Sequence, residues 1–245
     1  MAARIERRAV QRMFSDIAPT YDLLNRLLSL GIDRGWRQAG ARILIEAVEG
    51  RERGLLLDLA AGTADVALEV RRQLGPRARV RLLGADFAYP MLVRAKEKAA
   101  RRGADIRLLQ ADALALPLRS GALDGLIIAF GLRNLEDRRA GLAEMARALR
   151  PGGRLVILEF GRPAGLFGAV FHFYFRFLLP AAGRLVSGHP TAYRYLPETV
   201  GEFPSPEALS AMIRAAGFGK VSAKPLTGGI VQLHSGVRLT EGGER

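Results

Sequence analysis

Two kinds of apolar pattern alternate along this chain. Short continuous runs bounded by small or polar residues fit strands buried on both faces. They occur at 55–59, at the start of LLLDLAAGTAD, at 78–86 (ARVRLLGAD), at 106–109, at 122–130 (ALDGLIIAF) and at 154–160. Between them apolar residues recur at helical spacing, which predicts helices over 63–74, 90–102 and 137–149, the last closed by Pro151-Gly152-Gly153 as stop and turn. Residues 4–48 read as a helical cap, clearest over 21–30 and 36–48, where Ala39, Ile43 and Ala47 share a face. A helix over 205–216 and strands near 220–224 and 229–237 end the pattern as an edge hairpin. The alternation predicts an α/β fold with a seven-stranded, mainly parallel sheet.

One stretch breaks the rhythm. Between 164 and 188, Phe167, Phe171, Phe173, Tyr174, Phe175 and Phe177 crowd together, interrupted by His172 and Arg176. The run is too short to span a bilayer, and aromatics on every side of a helix exceed what one packing face needs, so we read an amphipathic lid or interfacial surface. The expected organisation is one domain, 1–245, with the cap at 1–50, the core at 51–160, the lid at 161–204 and the closing helix and hairpin at 205–239.

Composition narrows the function. At 245 residues the chain can bury a full core without a metal or disulfide staple. It has no cysteine, which excludes thiol catalysis and a disulfide framework. Its three histidines, His172, His189 and His234, are too scattered for a metal site. The formal net charge of +13 raises nucleic acid or an anionic surface as partners. However, only four of the 37 basic residues are lysines (Lys96, Lys98, Lys220 and Lys224) and the arginines are spread along the chain, so nucleic acid is not expected. The N-terminus lacks the apolar segment of a signal peptide, and the expectation is a cytoplasmic protein, peripheral contact at the inner face of the membrane being the alternative.

The candidate chemistry gathers after the first strand. Ala60, Ala61, Gly62 and Ala64 leave the backbone open to a ligand, and the next helix aims its N-terminus there. The spacing Asp58-x-Ala60-x-Gly62-x-Ala64 resembles the first motif of class I S-adenosylmethionine-dependent methyltransferases, and the G-x-G-x-x-G of a dinucleotide site is absent. Asp86, 24 positions beyond Gly62 and at the end of the second strand, is placed to reach ribose hydroxyls. Asp112 and Ala113 follow the third strand, where an adenine edge would lie; a capping role for Asp112 is the alternative. Gly131, Leu132, Arg133 and Asn134 stand at the carboxyl end of the fourth strand, where open α/β sheets bind ligands.

Four blocks together resemble the ubiquinone/menaquinone biosynthesis C-methyltransferase family: YDLLNRLLSLGIDRGWR, DLAAGTAD, FGLRNLEDRRAGLAEMARALRPGGRLVILEF and TAYRYLPETVGEFPSPEALSAMIRAAGF. They lie in the family's order and cover most of the chain from Gln11 onward. Departures are Leu24, where the family commonly has methionine, Asp33 for histidine, Ala64 for glycine, Ala129 for serine and Gly161 for serine. The resemblance implies a class I methyltransferase (Rossmann-like) fold with helical additions, a helical insertion after strand five among them. It further implies S-adenosylmethionine as donor and a prenylated quinol, naphthoquinol or benzoquinol, as acceptor. On matched positions Asp58, Gly62, Thr63, Asp86, Asp112 and Ala113 would serve the cofactor, Ala129 by its backbone alone. Two other readings stay open: a methyltransferase for another lipophilic small molecule, and a scaffold that binds the donor without transfer. Either leaves room for a homo-oligomer.

Methylating a ring carbon calls for a phenolate. Moving a phenol from about 10 to about 7 takes roughly 4 kcal/mol of preferential stabilisation. Arg133 is the candidate to supply it, Asn134 to orient the ring, and Tyr21, His172, Tyr193 or a water to relay the proton.

Overall fold

The computed structural model describes residues 7–18, 21–22, 29, 31–75, 79–163, 165, 168 and 199–240. Most of the aromatic stretch, with His172 and Tyr193, therefore lies outside the described residues.

Helix α1 (Arg7–Ile17) and helix α2 (Asp33–Ile45), which runs on through a 3-10 turn Glu46–Val48, precede the sheet. Then follow β1 (Gly54–Leu59), α3 (Asp65–Leu74), β2 (Val80–Asp86), α4 (Tyr89–Arg101), β3 (Arg107–Gln110), β4 (Leu123–Ala129), a 3-10 turn Leu132–Asn134, α5 (Arg138–Ala148) and β5 (Leu149–Phe160). The chain closes with α6 (Pro206–Ala215), β6 (Phe218–Leu226), a 3-10 turn Thr227–Gly229 and β7 (Val231–Arg238). The seven strands lie in the order β3-β2-β1-β4-β5-β7-β6. The first five are parallel, and β7 inserts antiparallel between β5 and β6.

Side-chain alternation along the central strands sorts the core into two layers. Leu57, Leu59, Leu126, Ile128, Leu155 and Ile157 face Leu142 and Met145 of α5 and Leu209 and Ile213 of α6. Leu56, Ile127, Val156 and Leu158 face Trp36, Ala41 and Leu44 of α2 and Val66, Ala67 and Val70 of α3. Both faces are covered, as the continuous apolar runs require. Gly40 lets α2 settle on the sheet, because a Cβ there would stand 2.7 Å from Leu158 Cδ1.

Three local expectations change. The buried face of α2 is Asp33, Trp36, Gly40, Ala41 and Leu44, with Ala39, Ile43 and Ala47 on its flank, because the glycine marks the line of closest approach. Pro151-Gly152-Gly153 does not separate helix from strand: β5 begins at Leu149 and absorbs the three residues as an irregularity opposite Leu123–Gly125. The helix after β1 starts at Asp65 rather than at Thr63, because Ala64 is left-handed at φ 65°. Among the described residues no helix is long and apolar enough to cross a membrane.

Candidate active site

Parallel strands leave a crevice at their carboxyl ends where the chain departs to opposite sides of the sheet. Here β1, β2 and β4 end around an open-mouthed cleft. Ala60, Gly62, Asp86, Asp112, Ala113, Ala129 and Asn134 line it, and Phe14, Tyr21, Phe87, Met91, Leu114 and Leu135 give it an apolar rim.

The β1 turn is built for close approach. Ala60, Gly62 and Ala64 have φ of 55°, 54° and 65°. Glycine adopts such angles without penalty and alanine does so at a cost of order 1 kcal/mol, while its single methyl keeps the backbone of the bend open to close approach. Asp86 ties the bend to β2: Oδ2 accepts from the Gly62 N–H at 2.8 Å and Oδ1 from the Ala88 N–H at 2.8 Å. Burial raises the Asp86 carboxyl above its ordinary value, and the N–H groups of Ala88, Gly62 and Phe87 oppose that rise. Asp112 closes its own turn, Oδ1 accepting from the Leu114 N–H at 2.9 Å, so its local role is a loop bond and not a helix cap.

Three expected site residues sit elsewhere. Asp58 is 1% exposed and lies behind the bend, where Oδ2 accepts from the Ala67 N–H of α3 at 2.9 Å. It therefore occupies a helix N–H that the sequence assigned to a ligand, and burial pushes its carboxyl up to about 8. The Thr63 hydroxyl also turns away from the cleft, donating to Asp22 Oδ1 at 2.6 Å and accepting from Lys98 Nζ at 3.0 Å. Arg133 is buried, and its guanidinium is held by Glu159 Oε1 at 2.5 Å and the Phe130 carbonyl at 2.6 Å, over the Phe160 ring. It does not line the cleft, because the 3-10 turn Leu132–Asn134 points it back at β5.

Its neighbour Asn134 does reach the cleft. Tyr21 does as well, stacking edge-on with Phe14 at 6.3 Å between ring centroids. Phe130 connects the two regions: it takes φ 57°, lines the cleft and packs with Trp36 and Phe160 at 6.1 and 4.8 Å.

Sequence reasoning missed Glu159, Lys98 and Phe130. Lys98 had a legible signal, since Met91, Ala95 and Lys98 repeat at i, i+4 and i+7 and so put a charge on the apolar face of a helix. Asp33, one of the departures, is also structural, accepting from Ser29 Oγ at 2.8 Å and pairing with Arg37 at 2.6 Å.

The sheet order and the crevice define a class I, Rossmann-like methyltransferase fold. The chain superposes on a solved SAM-dependent methyltransferase from Aquifex aeolicus with a TM-score of 0.58 at 17% identity, covering 82% of this chain and 89% of that one. Residues 1–238 match the model of the ubiE/COQ5 methyltransferase family. Over 227 residues the chain is 52% identical to a demethylmenaquinone methyltransferase of Thermus thermophilus, covering 92% of this chain and 100% of that protein. It is 50% identical over 229 residues to a demethylmenaquinone methyltransferase of Deinococcus radiodurans, covering 93% and 92%. This chain belongs to the ubiE/COQ5 methyltransferase family.

Proposed function

We propose that this protein transfers the methyl group of S-adenosylmethionine to a ring carbon of a prenylated quinol, with demethylmenaquinol the preferred acceptor. The observation that carries the reading is the cleft itself, which lies within the matched span and sets the carboxylates of Asp86 and Asp112 against an apolar rim. Identities of 52% and 50% to proteins named for demethylmenaquinone favour the naphthoquinol over the benzoquinol.

In this reading Asp86 accepts from the ribose hydroxyls, and Asp112 with Ala113 meets the adenine. Ala60, Gly62 and Ala129 let the nucleoside lie against the backbone. The donor supplies an electrophilic methyl group held on a sulfonium. Asn134 orients the acceptor's hydroxyl beside it, and proximity accounts for much of the acceleration. The buried Arg133–Glu159 pair is close to neutral as a unit, so it gives little field for a phenolate. Its contribution is to fix the Phe130 carbonyl and the turn that carries Asn134. Proton removal then falls to Tyr21, or to His172, Tyr193 or water. A prenyl chain partitions into bilayers, so we also propose peripheral contact with the inner face of the membrane.

The test is transfer from methyl-labelled donor to reduced demethylmenaquinone and, in parallel, to the reduced benzoquinone precursor. Label on a ring carbon of the naphthoquinol supports the reading. Preferential labelling of the benzoquinol, or donor binding with transfer to neither, overturns it.

A further inference from the structure

Lys98 reaches from α4 to the back of the β1 turn and is 7% exposed. Its three N–H donors have three oxygen partners: Asp22 Oδ2 at 2.7 Å, Thr63 Oγ1 at 3.0 Å and Asp65 Oδ1 at 2.6 Å. In a chain whose basic residues are otherwise nearly all arginine, a lysine here fits the geometry, because a planar guanidinium cannot converge on three oxygens around one point. Thr63 closes the ring by donating to Asp22 Oδ1 at 2.6 Å. Asp22 belongs to the N-terminal segment, 41 positions from Thr63 and 76 from Lys98, so this ring spans the cap and the core.

The neighbour of Asp22 is Tyr21. Its ring lies over the bend, with Cε1 3.7 Å from where a Gly62 Cβ would stand, and it joins Phe14, Ala18, Ala88 and Met91 in one small apolar cluster. Tyr21 and Phe14 both line the cleft, so the N-terminal segment roofs the place assigned to the donor.

We propose that Lys98 is a positioning residue, a latch that holds Asp22 on Thr63 and thereby keeps Tyr21 closed over the donor. The inference deepens the methyltransferase reading and rests on it. Lys98 touches neither donor nor acceptor. Its effect is on how long the donor stays in the cleft.

Asp22→Asn is the informative variant. Asp22 is 40% exposed at its side chain, and Lys98 retains Asp65, so the fold survives the change. Calorimetric titration with S-adenosylhomocysteine is expected to give a Kd about tenfold higher than wild type, the scale of one lost charge-assisted hydrogen bond. Donor KM rises in proportion, any fall in turnover at saturating donor is smaller than the rise in KM, and the melting temperature stays close to wild type. Lys98→Met is expected to weaken binding to a similar degree, and the double variant no further, because both changes open one latch. Unchanged Kd in Asp22→Asn, or additive losses in the double variant, overturns the latch and leaves the methyltransferase reading intact. A wild-type protein that binds neither S-adenosylmethionine nor S-adenosylhomocysteine overturns both.

Discussion

Arg133 and Glu159 form a buried ion pair that joins the end of β4 to β5. The guanidinium meets Oε1 at 2.5 Å while the Arg133 N–H donates to Oε2 at 3.2 Å, so one carboxylate holds both the side chain and the backbone of the turn. The same guanidinium donates to the carbonyl of Phe130, a bulky residue held at φ 57°. A conformation that costs of order 1–3 kcal/mol persists only where its surroundings enforce it, and this pair is part of that enforcement.

Arg133→Ala should therefore damage the fold as well as turnover. Removing one partner of a buried pair costs about 3–5 kcal/mol, whereas replacing both by apolar residues of similar volume is often close to neutral. Arg133→Met combined with Glu159→Leu is expected to recover part of the melting temperature lost by either single change, since no charge is left buried alone. It does not recover all of it, because the Arg133 N–H and the Phe130 carbonyl lose these partners, and turnover remains low. Equal stability of single and double variants in thermal melts would remove the pair from the structural argument.

A second outcome concerns Gly131. A Cβ added there would stand 2.6 Å from Ala60 Cβ and 3.2 Å from Ile128 Cγ1, and the Ala60 methyl, short and set by its own left-handed backbone, cannot swing aside. Gly131→Ala is expected to cost about 1–3 kcal/mol by overpacking. It should also lower affinity for S-adenosylhomocysteine, since Ala60 and Gly131 both line the cleft. Calorimetry and a thermal melt read the two effects separately.

The pH dependence of stability gives a third. Burial lifts the Asp58 carboxyl from 3.8 to about 8, opposed by its bond from the Ala67 N–H; Asp86 and Asp65 add to the rise and Arg37 opposes it. Between those values the folded chain keeps a proton that the unfolded chain releases. Stability from this group is thus full at low pH and is lost as pH rises towards about 8. Asp58→Asn cannot ionise and can still accept from Ala67. Its melting temperature relative to wild type is expected to be higher at pH 8 than at pH 5 by at least about 4 °C, which a pair of melts decides. An equal difference at both pH values would mean that Asp58 is ionised in the fold.

Much of the fold was legible because hydrophobic runs and helical spacing are local signals, and β1, β2 and β4 lie where the runs put them. The cleft wall was legible for a related reason: Gly62, Asp86, Asp112, Ala113 and Ala129 stand at strand ends, which the alternation locates. The polar network was not. Thr63, Asp58 and Arg133 have chemistry suited to a ligand, and sequence spacing does not tell which way a side chain turns. Their partners Asp22, Ala67 and Glu159 are 41, 9 and 26 positions away, and only the folded chain brings them together. Ala64, which departs from the family's glycine, needed the backbone to be understood: it takes the left-handed angle that glycine would adopt freely.

The central claim is that the cleft between β1, β2 and β4 holds the nucleoside donor with Asp86 at its ribose. Calorimetric titration of S-adenosylhomocysteine into wild type and Asp86→Ala tests it most directly, with circular dichroism to show that both are folded. The expected result is a single site in the wild type and at least a hundredfold weaker binding in a folded Asp86→Ala. Equal affinities in the two proteins would place the donor elsewhere and contradict the assignment.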